Sequence, residues 1–100
     1  MPALPAADED DAEDLLTLLH EHRELRHLRV RRRGSALTIE SGNKTDAATH
    51  VRLRRATKHL WTLEIATHTG RWQPTGDRGV MPDLVRLLLQ QFPWVLAPVG

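Results

Sequence analysis

Arginine occupies every second position in two short stretches, Arg29-Arg31-Arg33 and Arg52-Arg54. A guanidinium is planar, permanently charged and forked, so it grips phosphate or carboxylate oxygens two at a time. Alternate residues of an extended strand share one face. The spacing therefore predicts a single basic surface, with Lys58 near it, able to hold a nucleic-acid backbone with salt-dependent affinity. Glu40 and Glu64 have the same parity, so cross-strand ion pairs should absorb part of that charge. Twelve of the fourteen basic residues are Arg, a bias that a GC-rich genome also produces without any binding site.

Other chemistry has less footing. His20, Glu24 and His27 stand at i, i+4 and i+7, the spacing of one helix side, but nothing marks a second shell, and no metal site is assigned. There is no cysteine, which excludes thiol catalysis and cysteine-ligated metal. No Gly-rich phosphate loop, G-x-S-x-G elbow or Ser/His/Asp arrangement stands in a recognisable context. Glu40 and Glu64 lie among arginines that keep carboxylates ionised rather than poised for proton transfer. The expectation is a protein that is not an enzyme, with no cofactor and no identifiable small-molecule substrate.

The apolar residues suggest a second kind of surface. Trp61 and Trp72 are expected to pack together beneath the last helix. Single-strand binders stack bases on exposed aromatics, so a buried Trp61 counts against that use of the arginine face. The stretch from Leu84 to Val99 is greasier than one small core requires. Leu87, Phe92, Trp94 and Val95 are thus candidates for a protein interface, Trp94 being the natural anchor. The leading expectation is a binding or adaptor module that acts through a protein partner or self-association. Nucleic-acid binding through Arg29, Arg31, Arg33, Arg52 and Arg54 is the alternative.

These residues need elements to position them. One hundred residues suit a single domain. Residues 1–10 are expected to form a flexible acidic tail and 11–100 one α+β domain. From Asp8 or Asp11 to about His27 the pattern is helical, Leu15, Leu18, Leu19, His22 and Leu25 giving one stripe, with acids crowding its first turns and Arg23 and Arg26 its last. The period then becomes two. Gly34-Ser35 suits a type II′ hairpin, a register in which paired residue numbers add to 69, so Val30 faces Ile39 and Arg31 faces Thr38. Residues 41–49 read as a loop, Val51 to Arg54 as a third strand and His59 to Ala66 as a fourth. A tight turn at Thr67–Gly70 leads into a short edge strand, Arg71 to Gln73, that Pro74 stops. A loop to Val80 precedes a helix from Pro82 to about Phe92, which Pro93 ends. The predicted fold is a four- to five-stranded antiparallel meander with an N-terminal and a C-terminal helix on one face.

The run HLWTLEIATHTGRWQPT, with a Leu-spaced helix after it, resembles a family of short uncharacterised bacterial proteins built on W-x-L-x-W and a basic-Trp pair. Trp61, Leu63, Arg71 and Trp72 match, whereas Ile65 stands where that family has a second Trp. The resemblance spans residues 28–95 and implies an antiparallel sheet flanked by helices, with no established activity. Charge is polarised beneath a net +1: six acids and no Lys or Arg in residues 1–20, eleven Lys/Arg against four acids in residues 21–60. The acidic arm is expected to be able to fold over the basic face and compete with phosphate. The start shows no signal-peptide pattern and no apolar run reaches membrane-spanning length, so the expected location is cytoplasmic.

Overall fold

A computed structural model describes residues 6–42, 45, 47–67 and 69–96. The first half of the expected tail, part of the 41–49 loop and the end of the C-terminal segment lie outside the described residues. The chain runs α1 (Glu9–His20), β1 (Arg29–Arg33), β2 (Ala36–Ser41), β3 (Ala48–Arg55), β4 (Trp61–Ala66), β5 (Trp72–Gly79) and α2 (Met81–Gln91). Short 3₁₀ turns follow each helix, at Arg23–Leu25 and Pro93–Leu96. The strands form one antiparallel sheet in sequential order. The architecture is α+β, a five-stranded meander with both helices contributing to one core.

That core forms because alternation sends Leu37, Ile39, Val51, Leu53, Trp61 and Leu63 to one side of the sheet. They meet Leu15 and Leu19 of α1 and Leu84, Val85 and Leu88 of α2 there. Full burial of each such side chain is worth roughly 1.5–3 kcal/mol, enough to fix which face the helices cover. The β1–β2 register pairs Arg29 with Glu40, Val30 with Ile39 and Arg31 with Thr38. Gly34 turns the corner at φ +58° while Ser35 keeps a negative φ, as a type II′ turn requires.

α1 begins at Glu9 with Asp8 as its N-cap, the earlier of the two starts expected from the sequence. Ala7 is buried, with its N–H bonded to the Gly34 carbonyl. The Asp8 side chain accepts from the Asp11 N–H, and the Asp11 side chain accepts from the Asp8 N–H. This reciprocal cap satisfies two otherwise orphaned donors. At the other end α1 stops at His20 rather than His27. His20 Nε2 lies 2.9 Å from the Leu28 carbonyl oxygen, so the side chain closes the exit loop instead of facing Glu24 and His27 across helical turns. Among the described residues, no group of three His, Asp or Glu could hold a metal ion.

The largest departure from the sequence reading is β5. Pro74 does not stop it, and the segment expected as a loop continues as a strand to Gly79. Proline lacks an N–H, but β5 is an edge strand, where one side of the ladder has no neighbour to serve. Register changes between Thr62↔Arg78 and Glu64↔Pro74, leaving three β5 residues opposite Leu63. Gly76, at φ +86°, absorbs this bulge. The Thr75 hydroxyl donates to the Leu63 carbonyl and accepts from the Asp77 N–H. No described helix is long and apolar enough to cross a membrane.

Candidate binding site on the open sheet face

The sheet face opposite the helices carries all five arginines singled out from the sequence. Cross-strand partners stack them in rows: Arg29–Glu40–Thr49, Arg31–Thr38–Arg52–Glu64 and Arg33–Ala36–Arg54–Thr62. The central strand of the basic half, β2, contributes the short Ala36 and Thr38 between long arginines on β1 and β3, with Glu40 at one end of the lining. This contrast in side-chain length creates a trough along β2 with guanidinium groups on both banks. Its volume is about 560 Å³, and its lining includes Arg31, Arg33, Arg52, Arg54, Thr38 and Trp72. Strands two apart are separated by about 9.6 Å, which sets the width between the banks.

The arginines fall into two groups. Arg52 donates from Nε and Nη2 to the two Glu64 carboxylate oxygens at 3.1 and 2.9 Å, a fork-on-fork pair. Arg29 sits 3.6 Å from Glu40 and also donates to the Gly42 carbonyl. By contrast, Arg31, Arg33 and Arg54 are exposed and join no ion pair among the described residues. Five arginines against two glutamates leave these three cations around the trough without an ion-pair partner among the described residues. The expected charge absorption is therefore real but partial.

Trp72 corrects the aromatic assignment. It pairs with Ala66, which shares parity with Glu64, so its ring belongs to the open face rather than beneath α2. The Arg52 guanidinium lies over it, 4.7 Å from the ring centroid. Trp61 is on the other face, 4% exposed, with Arg55 4.5 Å above its centroid. Parity counted from the ladder, not through the Thr67–Gly70 turn, was the signal that separates the two tryptophans.

Arg55 was not distinguished from its neighbours in the sequence. It follows Arg54, so it points to the helix side, where it is buried and ion-paired to Asp11 of α1. Its Nη1 also donates to the Lys58 carbonyl. This pair fixes the acidic first turn of α1 on the far side of the sheet from the trough. Asp11 and Asp14 line a separate depression there with Lys58, His59 and Trp61. The acids of residues 8–14 are therefore not folded over the arginine face, and Lys58 does not belong to it.

A second unforeseen cluster is Ser41–His50. His50 is the extra residue where the β2–β3 register shifts, and the shift turns it to the core side. Its Nε2 lies 2.7 Å from Ser41 Oγ, and its Nδ1 lies 2.8 Å from the Val95 carbonyl oxygen. Since the carbonyl only accepts, Nδ1 carries the proton and Nε2 accepts from the serine. Burial holds His50 below its ordinary value of 6.5; the Val95 bond opposes this and the nearby His27 adds to it. The arrangement has the polarity of a nucleophile and its base, yet Ser41 and His50 are both 6% exposed. Substrate has no access. The pair instead clips the C-terminal turn, with its buried Leu96, onto β3.

That clip uses much of the apolar surface counted as spare. Leu87, Phe92 and Val95 are half-buried against the core, while Trp94 stands 66% exposed with Phe92 meeting it edge-on at 5.7 Å. Compared with protein-family models, curated proteins and solved structures, the chain matches none.

Proposed function

We propose that the protein is a non-catalytic nucleic-acid-binding module that holds the phosphate backbone in the arginine-banked trough. The observation that carries this reading is the convergence on one groove of three exposed guanidinium groups, Arg31, Arg33 and Arg54, that join no ion pair among the described residues. Alternate residues along a strand are about 6.8 Å apart, a spacing that suits successive phosphates of an extended backbone. A concave face favours a chain that lies within it over a lipid surface, which cannot follow the curvature. Titration of DNA and RNA at two salt concentrations tests the reading. Binding at low salt should weaken with a log–log slope of roughly −2 to −3 if each of the three meets a phosphate. Absent or salt-insensitive binding removes the proposal. Polyglutamate bound more tightly than nucleic acid would assign the face to acidic protein segments instead.

Trp94 favours a second reading, association with another copy or a protein partner. Its ring is the largest exposed apolar group among the described residues, and such a ring is a good anchor. Light scattering at micromolar concentration should then show a dimer that Trp94→Ala dissolves. A monomer in both cases ends the self-association reading.

A further inference from the structure

We infer that Arg52, seated on Trp72 and locked by Glu64, is a stacking platform for an unpaired base, so that the trough selects single-stranded nucleic acid over duplex. The inference rests on the phosphate-binding reading of the same face and adds a division of labour within it. Arg31, Arg33 and Arg54 join no ion pair among the described residues and suit phosphate. Arg52 differs, because its Nε and Nη2 are committed to the Glu64 carboxylate, which also offsets its charge. Nη1 and the faces of the guanidinium remain. One side lies over the Trp72 ring; the side chain keeps 22% of its surface exposed and lines the trough.

A guanidinium held on one edge by a carboxylate, with an aromatic behind it, is a rigid, weakly hydrated surface. Bases stack on such planes much as they stack on aromatic rings. Arg52 is also well placed for the task. It stands on the β3 bank, opposite Arg31 and beside Arg54, so a backbone gripped by those two can turn a base toward it. In a duplex the base faces are already stacked on one another and only the phosphates are offered. The banks, about 9.6 Å apart, also admit one strand more readily than two. Stacking is indifferent to base identity, so little sequence preference is expected.

The test uses the full chain and four probes at equal phosphate concentration: oligothymidylate, its RNA counterpart, an abasic single strand of the same length and a blunt duplex. Removing the bases leaves every phosphate contact intact. Oligothymidylate and the RNA should bind at least about five-fold tighter than the abasic strand, the low end of what one stacked base contributes. The duplex should resemble the abasic strand. Arg52→Lys keeps the charge but removes the plane. It should bring the ratio of oligothymidylate to abasic affinity down to about one, with thermal unfolding confirming that the variant is folded. Equal binding of all four wild-type probes would overturn the platform and leave phosphate binding standing. A preference that survives Arg52→Lys would place the stacking elsewhere and overturn it too. No binding by any probe at low salt would remove both proposals at once.

Discussion

Two Arg–Trp–carboxylate clusters sit back to back on this sheet, one on each face. On the helix side, Arg55 covers Trp61 and pairs with Asp11. On the open side, Arg52 covers Trp72 and pairs with Glu64. The chemistry is the same, and the surroundings differ. The Arg55 side chain is 7% exposed and its carboxylate comes from a helix 44 residues away in sequence. The Arg52 side chain is 22% exposed and its carboxylate comes from the adjacent strand. The first cluster fastens α1 to the sheet, whereas the second fastens nothing distant. An interaction of this kind costs desolvation and restricts long side chains, and on the helix side the return is tertiary structure. On the open side that return is missing, and the proposed binding role draws on this difference.

The sharpest way to break the contrast is to remove one acid from each cluster. Asp11→Ala leaves a buried guanidinium unpaired and also removes half of the α1 cap. It should destabilise the protein by about 3–5 kcal/mol in chemical denaturation. Glu64→Ala should cost only about 1–2 kcal/mol, because Arg52 can turn to water. Equal losses would mean that the two clusters are both structural. A binding experiment sharpens the same comparison. Glu64→Gln frees the Arg52 donors and should steepen the salt dependence of duplex binding by about one unit, while Arg54→Gln should flatten it by about one.

A gentler perturbation reaches the helix side through pH. His50 is buried with its affinity for protons lowered, so the unfolded chain takes up a proton before the folded one does. Stability from this group is complete above pH 6.5 and declines as pH falls below it. Thermal midpoints should drop over that range, and His50→Gln should flatten the dependence. A midpoint independent of pH between 7.5 and 5.5 would show that protonation of His50 does not loosen the clip on the C-terminal turn.

How far the sequence went depends on what fixed each element. The β1–β2 hairpin was legible to the residue because Gly34-Ser35 sets a two-residue turn and alternation does the rest. The arginine face followed directly. Trp72 was misplaced because the parity of β5 is set across a turn whose length is not written in residue types, and because Pro74 reads as a stop unless its strand is known to be an edge. Asp11–Arg55 and His50–Val95 join residues 44 and 45 positions apart. Contacts of that separation leave no local pattern. His50 also depended on a bulge, which reverses the face of a residue without changing its type.

The borders of the sheet carry one more implication. On β1 the outer rim is crowded with guanidinium groups, and on β5 the hydrogen-bonding line is broken by Pro74 and kinked at Gly76. Neither rim offers a straight, uncharged template onto which another strand could zip, a common route by which β-proteins polymerise into fibrils. Concentrated solutions should therefore resist fibre formation, and any assembly this chain enters is expected to be built through its faces or its C-terminal tryptophan.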